Sequence, residues 1–481
     1  MNSTNTAPKA DDVPLVVDLD GTLVNSDLLI ESAFMVAHTS PHSLLGIPRW
    51  LGTGKAKLKA ELARRADLGI ADLPYDKRLI ALLEHEKANG RTLILATASN
   101  EKYARQVAEH LGLFDAVLAS DEHTNLSGQT KLDALRDHLN GGAFDYAADH
   151  DVDRVIWRHA RRAILVNGHS KLESRVRDEA DVGQNFVREG GDWRTWVKAL
   201  RVYQWAKNAL IFVPLLAAHE FADAVTVSMA VAAFVAYSLL ASSVYLLNDL
   251  VDLGDDRQHP RKRERPFASG RLPIAHGVLA IPVLLIVSVA IAAFLPPLFW
   301  GVLAIYYVLT LAYSLGLKQL ALLDVLTLAA LYTLRIIAGG AATGIDLSFW
   351  LLALSMSIFL SLAMAKRCTE LLVMAEHSGD APLGRGYIAT DLPMLRSLGT
   401  AAGYASVVVL ALYINSPDIT DHYSHPVRIW LLCPVVLYWI SRIWLKTLRG
   451  DMHDDPIVFA ARDNGSRVCV LLGALIMFMA I

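Results

Sequence analysis

Cysteine is scarce. The three in 481 residues, Cys368, Cys433 and Cys469, lie far apart in or beside apolar segments. With no CxxC and no Cys/His spacing, neither a disulfide framework nor a zinc site is implied, and they read as packing residues. An excess of positive charge is also missing: the formal net charge of −3 implies no domain-wide basic surface, so a nucleic-acid partner is set aside. The opening dodecapeptide MNSTNTAPKADD lacks the basic and apolar regions of a secretory signal, which places the N-terminus in the cytoplasm by expectation. From about residue 209 onward charge itself becomes rare, and apolar runs alternate with short polar loops, whereas residues 1 to about 190 carry charges in every window. Such a length exceeds what one hydrophobic core usually organises. The expected division is a soluble domain over 1–190, a linker over 191–208 and a membrane domain over 209–481.

Apolar stretches long enough to span a bilayer fall at about 208–222, 225–247, 274–295, 298–315, 320–342, 348–365, 395–414, 427–445 and 467–481. They predict an all-α polytopic bundle of about nine crossings, the first and last of them short. Loops near 219–224, 295–298, 342–348 and 415–426 contain no Lys or Arg. The alternate loops hold Arg257, Arg261, Lys262, Arg263, Arg265 and Arg271, then Lys366, Arg367 and Arg385, then Lys446, Arg449, Arg462 and Arg467. By the positive-inside rule these basic loops and the N-terminal domain face the cytoplasm. In the linker GGDWRTWVKALRVYQWAKN, Trp193, Trp196, Leu200 and Tyr203 recur at helical spacing among Arg194, Lys198, Arg201 and Lys207. That pattern suits a helix lying among lipid headgroups.

In the soluble part, PLVVDLDGTLVNSD is a short apolar run that ends in Asp18 and Asp20. Such a run predicts a buried parallel strand that delivers both carboxylates to its carboxyl edge, where α/β folds place active sites. Thr97 ends a second apolar run, Lys131 follows SGQT, and Asp149 with Asp153 ends a third. In this order the four elements resemble the motifs of the haloacid dehalogenase (HAD) superfamily over roughly residues 13–170. The resemblance implies an α/β, Rossmann-like parallel sheet with a small helical cap at about 28–90. It implies Asp18 as the nucleophile that forms an aspartyl-phosphate and Asp20 as the acid that protonates the leaving oxygen and then activates water. Thr97 and Lys131 would hold phosphoryl oxygens. Asp18, the backbone carbonyl of Asp20 and Asp149 would bind Mg²⁺, with Asp153 supporting that shell. The basic stretch GKAKLKAELARRAD would belong to the cap and choose the substrate.

At the end of the second expected span, Asn248, Asp249, Asp252 and Asp256 fall at i, i+1, i+4 and i+8, which brings the three carboxylates to one helical face. Like charges there repel unless neutralised, and Mg²⁺ bridging to a diphosphate neutralises them. Acidic groups at a membrane helix end are functional by default. The NDxxDxxxD pattern resembles the UbiA superfamily over about 195–481, which implies group transfer from a diphosphate at a cytoplasm-facing intramembrane cavity. A second aspartate-rich motif, usual in UbiA prenyltransferases, is missing, and the corresponding loop reads AKRCTELLVMAEHSGD. Together with RVYQWAKN, DRQHPRKRERPFASG, AYSLGLKQ, LRIIAGGAATG and DDPIVFAARD, that loop resembles the decaprenyl-phosphate phosphoribosyltransferase branch.

In that branch phosphoribosyl pyrophosphate is the donor and a polyprenyl phosphate the acceptor. A donor with an extra 5-phosphate and a phosphorylated acceptor call for cations instead of a second metal cluster. Candidates are Lys207, Lys262, Arg265, Lys318, Arg335, Lys366 and Arg367, with Asn248, Tyr313 and Glu370 beside them, while Asp249, Asp252 and Asp256 hold Mg²⁺. The fused phosphatase would remove the remaining 5-phosphate from the lipid product, which it meets at high effective concentration. Two other readings stay open: a prenyltransferase using a prenyl diphosphate beside an unrelated phosphatase, and a lipid transporter with a regulatory phosphatase-like domain. Oligomeric state is not legible.

Overall fold

Between Pro14 and Phe186 the alternation of apolar runs with amphipathic segments folds as six strands joined through helices. The computed structural model describes residues 13–188, 190–377, 386–416, 423–452 and 456–480. The N-terminal dodecapeptide, Arg385, Asp454, Asp455 and residues 417–422 of the loop 415–426 lie outside them. The chain divides into one compact unit of Met1–Leu200 with Tyr245–Pro282 and another of Arg201–Val244 with Val283–Ile481.

In the first unit, β1 (Leu15–Val17), β2 (Leu93–Asn100), β3 (Ala116–Ser120), β4 (Asp145–Ala148), β5 (Arg162–Val166) and β6 (Val182–Phe186) form a parallel sheet in the order β3-β2-β1-β4-β5-β6. Residues alternate between faces at the strand period of two: Leu15, Val17 and Ala147 enter one core, whereas Val16, Tyr146 and Ala148 enter the other. Because strands are added to both sides of β1, its carboxyl end is the topological switch point where ligands bind in such sheets. Asp18 follows immediately. Between β1 and β2 lie α1 (Leu28–Thr39) and α2 (Lys55–Arg65), which occupy the expected cap region, and α3 (Gln129–His138) follows β3. Asp27 caps α1, its carboxylate accepting from the Ile30 amide at 3.0 Å.

The linker departs from the single amphipathic helix its periodicity predicts. An α-helix covers only Trp193–Ala199, Arg201 takes a left-handed conformation (φ +50°), and Val202–Phe212 continues as a 3₁₀ helix. Trp193 and Tyr203 therefore sit on different elements. The first expected crossing is affected too, since that 3₁₀ helix is followed by only a short α-helix, Val213–Ala217, with Pro214 in its first turn.

Seven helices among the described residues are long and apolar enough to cross a bilayer. These are α4 (Ala224–Val251), α6 (Ile274–Ala292), α7 (Pro297–Leu315), α8 (Leu323–Thr343), α9 (Phe349–His377), α10 (Leu392–Ile414) and α11 (Leu432–Leu448), the last lengthened by the 3₁₀ segment Pro426–Leu431 into a 23-residue span, with α5 (Leu253–Gln258) following α4. The last expected span is α12 (Asn464–Ala480), 17 residues or about 26 Å at 1.5 Å per residue, short of a hydrocarbon core of about 30 Å. The protein is thus a multi-pass membrane protein with an α/β domain. The count of nine comes down to seven long helices plus the two segments that were short in sequence.

Candidate active sites

The first site is built at the end of β1. The chain turns sharply after Asp20, and Gly21 takes φ +73°. A Cβ there would stand 2.1 Å from Asp149 Oδ2, so only glycine lets the turn approach that carboxylate. Thr22 Oγ1 donates to Asp149 Oδ1 at 3.3 Å, and the Asn167 side chain donates to the Gly21 carbonyl at 2.7 Å.

Asp18, Asp149 and Asp153 each present an oxygen within 4.8 Å of the others. Lys131, at the start of α3, reaches in from the side: its Nζ is 3.0 Å from Asp18 Oδ1 and 3.5 Å from Asp153 Oδ1, and it donates to Tyr146 Oη at 3.0 Å. Tyr146 in turn donates to Asp153 at 2.8 Å. Burial works against the charge of Lys131, but Asp18 and Asp153 outweigh it and hold the ammonium firmly protonated. Burial, reinforced by Asp18 and Asp153, pushes Asp149 well above the usual carboxylate range. Three crowded carboxylates against one lysine leave an excess of negative charge. An all-oxygen donor set of this kind fits a hard divalent cation.

Asp20 is set apart. Its two oxygens accept from the Leu28 amide at 2.9 Å and from the Ser99 hydroxyl. Burial, then the charge of Asp27, raises its pKa to about 7, so it can both give and take a proton near neutrality, as a general acid and base must. Thr97 is fully buried on β2, and its Oγ1 accepts from the Ser99 amide at 3.0 Å.

The structure adds a residue that sequence reasoning had not separated from its basic neighbours. Lys59 on α2 donates to the Ala98 carbonyl and, at 2.7 Å, to Asn125 Oδ1. Burial lowers its pKa while the charges of Asp20, Asp27 and Asp18 pull it back up, so its ammonium feels the carboxylates of the first motif. Lys59→Ala is expected to lower kcat/KM for phosphate-ester hydrolysis about tenfold, with Lys59→Arg between, read from steady-state kinetics on several esters.

The acidic motif of the membrane half also belongs to the first unit. The helix carrying Asn248 and Asp249 ends at Val251, and α5 restarts at Leu253. The i→i−4 bonds nevertheless continue, the Asp252 amide donating to the Asn248 carbonyl at 2.9 Å and the Asp256 amide to that of Asp252 at 2.8 Å. Asp249 and Asp256 are buried, and Arg265 bridges them, 3.1 Å from Asp249 Oδ1 and 2.6 Å from Asp256 Oδ2. Asp252 is half-buried and Lys262 partly exposed. Burial raises Asp256 to about 6, against the pull of Arg265. Asp256 Oδ1 has no hydrogen-bond partner among the described residues. A buried acceptor without a donor is costly, and a divalent cation would satisfy it.

In the second unit the candidate cations fall into two groups. In one, Arg335 on α8 donates through Nε to Asn208 Oδ1 at 2.8 Å, and its guanidinium lies 5.1–5.6 Å from the rings of Tyr237, Tyr306 and Tyr332. Lys207 is 5.7 Å from the Tyr332 ring. RVYQWAKN and LRIIAGG therefore meet in a buried, aromatic-walled cationic centre. In the other, Arg367 is fully buried and is held by Asp324, by Glu370 and by Tyr313 Oη, the last at 3.0 Å. Tyr387 donates to Asp324 as well. Asp324 and Tyr387 were not among the expected site residues. With each nitrogen of its guanidinium engaged, Arg367 ties α7, α8 and α9 together. Lys366 and Lys318 are half-buried. Asp324 precedes Arg335 by eleven residues on one helix, about 16 Å along its axis.

Residues 209–462 match the UbiA prenyltransferase family and residues 15–154 the haloacid dehalogenase-like hydrolases. The chain is 38% identical over 467 residues to the uncharacterized protein y4nM of Sinorhizobium fredii, covering 96% of this chain and 90% of that one. It is 36% identical to nodulation protein NoeC of Azorhizobium caulinodans, over 58% of this chain and 90% of that protein. The decaprenyl-phosphate phosphoribosyltransferase of Mycobacterium tuberculosis is 34% identical over 56% of this chain and 88% of its own. With its acidic motif, its seven long apolar helices and more than half its length matched, the chain belongs to the UbiA prenyltransferase family and carries a haloacid dehalogenase-like hydrolase domain ahead of it.

Proposed function

We propose that this protein transfers 5-phosphoribose from phosphoribosyl pyrophosphate to a polyprenyl phosphate and then removes the 5-phosphate from the lipid. The observation that carries the reading is the buried centre of Arg335, Lys207 and Asn208. Two cations gathered with an amide among aromatic rings deep in a membrane domain are expensive to keep there, and the phosphate oxygens of a substrate are ligands that such a centre suits. Likeness to a decaprenyl-phosphate phosphoribosyltransferase supports the same choice over a prenyl diphosphate donor.

Asp249, Asp252 and Asp256 would hold Mg²⁺, which when bound offsets the charge of the departing pyrophosphate. Asn248, Lys262 and Arg265 flank these carboxylates, and Arg265 keeps Asp249 and Asp256 from repelling each other. As the C1–O bond to pyrophosphate breaks, its electron pair leaves with the diphosphate, and an oxygen of the lipid phosphate bonds to C1 with inversion. Lys207 and Arg335, with Lys318 and Lys366, are assigned to the phosphates of donor and acceptor. Arg367, Glu370 and Tyr313, with Asp324, hold the junction of α7, α8 and α9.

In the hydrolase domain, 1–190, Asp18 attacks phosphorus and Asp20 protonates the leaving ribose oxygen. Asp20 then takes a proton from the water that cleaves the aspartyl-phosphate. Lys131 and Thr97 hold the phosphoryl oxygens, and Asp18, Asp149 and the Asp20 carbonyl would bind Mg²⁺, with Asp153 orienting Lys131. The residues 191–208 link this domain to the transferase, 209–481, in the cytoplasmic membrane, and the distribution of the basic loops supports a cytoplasmic side for both reactions.

The test is lipid-dependent chemistry. Purified protein given polyprenyl phosphate and labelled phosphoribosyl pyrophosphate is expected to release pyrophosphate and to label the lipid. Transfer of a prenyl chain from a prenyl diphosphate, with no labelled lipid, would overturn the proposal.

A further inference from the structure

The loop that follows the transferase aspartates is built into the hydrolase, all within the first unit. Arg257, one residue after Asp256, donates through both terminal nitrogens to Glu31 on α1, at 2.8 and 2.6 Å across 226 residues of sequence. Both side chains are almost fully buried, 6% and 4% exposed. Beside them, Gln258 donates to Asp72 at 3.2 Å. Gly270 presses on the catalytic turn so closely that a Cβ would meet Asn25 at 2.5 Å.

Each end of the ion pair touches a catalytic motif. On the hydrolase side, Glu31 lies in the first turn of α1. That turn donates the Leu28 amide to Asp20, and Glu31 also accepts from the Ser26 hydroxyl, in the turn that runs from Asp20 to Asp27. On the transferase side, the Nε of Arg257 donates to the Ala268 carbonyl at 3.2 Å, closing the 257–268 loop. Arg265 within that loop bridges Asp249 and Asp256. A bidentate guanidinium–carboxylate pair fixes direction as well as distance. Burial makes it unforgiving, since removing either partner strands the other charge.

We infer that Arg257 and Glu31 are positioning residues shared by the two reactions, a strut through which the hydrolase's acid and the transferase's aspartate loop hold each other in register. The inference rests on the assignment of Asp18 and Asp20 to hydrolysis and of Asp249 and Asp256 to transfer. Neither residue needs to touch a substrate. A displacement of Asp20 or of the aspartates by a fraction of an ångström suffices to slow chemistry.

The experiment uses the full-length protein in detergent or nanodiscs. Hydrolysis of p-nitrophenyl phosphate with Mg²⁺ and labelled phosphoribosyl transfer to polyprenyl phosphate are measured side by side, with the melting temperature of every variant. Arg257→Lys, which keeps the charge and loses the fork, is expected to lower kcat for hydrolysis about tenfold with KM changed less than about twofold. Glu31→Gln, far from the aspartates in sequence, is expected to lower transfer by a similar factor. Wild-type kcat for hydrolysis in Arg257→Lys, or wild-type transfer in Glu31→Gln, would overturn the strut. So would losses that merely track a lowered melting temperature. Asp18→Asn separates this outcome from failure of the phosphatase reading, since that reading alone fails if Asp18→Asn still hydrolyses the ester. Wild-type protein that transfers no phosphoribose removes the transfer reading and leaves the hydrolysis arm decisive.

Discussion

Asp18→Asn is expected to stop dephosphorylation while leaving transfer intact, so that a phosphoribosyl lipid accumulates in place of the ribosyl lipid. The amide is nearly isosteric with the carboxylate and can still accept from the Leu19 amide, which donates to Asp18 Oδ1 at 2.8 Å. It cannot attack phosphorus, because its lone pair is delocalised and a neutral amide is a poor nucleophile. Loss of the nucleophile is expected to cost about 10⁴-fold or more in hydrolysis, as removal of a covalent catalyst does elsewhere. Stability should change little in the presence of metal: the substitution removes one of three crowded carboxylates and weakens one contact of Lys131, which keeps Asp153 and Tyr146. Mass spectrometry of lipids formed from labelled phosphoribosyl pyrophosphate reads the outcome directly. Unchanged formation of ribosyl lipid by this variant would mean that the hydrolase domain serves some other phosphate ester.

The parts of this molecule that were legible in sequence are those where chemistry fixes the residue type. A carboxylate pair at the end of a buried strand, a threonine and a lysine in order, and a further acidic pair form a pattern whose residue types phosphoryl chemistry would dictate. The sheet that carries them alternates its apolar residues at period two, and in the structure Asp18, Asp149 and Asp153 come within 4.8 Å. Lys59 was hidden for the opposite reason. Among the basic residues of α2 nothing in the spacing marks the one whose ammonium reaches the Ala98 carbonyl and Asn125, and only the packing of the helix selects it.

Long-range partners were equally invisible. Asp324 is a single acid at the start of an apolar helix, and its role emerges only when Arg367, 43 residues later, lies against it. The break at Arg201 was illegible because the aromatic periodicity continues across it, while the backbone turns left-handed at a residue with no sequence signal for that conformation. Likewise the pairing of Glu31 with Arg257 joins segments 226 residues apart, and local pattern carries no information on contacts of that range. The acidic motif lies between these cases. The i, i+3, i+7 spacing of Asp249, Asp252 and Asp256 placed three carboxylates on one face. Hydrogen bonds bridge the interruption at Asp252, so the helical register survives even though the helix does not run through it.

Asp249→Ala is expected to abolish transfer, by about 10³-fold or more in kcat, without unfolding the protein. Asp249 is buried beside Arg265, which also holds Asp256. Truncation therefore leaves that arginine one carboxylate, which limits the structural cost. What disappears is an oxygen of the set that would hold the metal against the departing pyrophosphate, a stabilisation used only as charge develops on the leaving group. Magnesium dependence separates this role from a packing role. Transfer by wild-type protein should fall to background on chelation with EDTA and return with added Mg²⁺. In Asp256→Asn the Oδ1 that lacks a donor becomes an amide or a weaker acceptor, so the magnesium concentration for half-maximal rate should rise about tenfold with partial recovery at saturation. Asp249→Ala should not recover at any concentration. A transporter needs none of this, so undiminished lipid processing by Asp249→Ala, with unchanged magnesium response, would show that the acidic motif does not do chemistry in this protein.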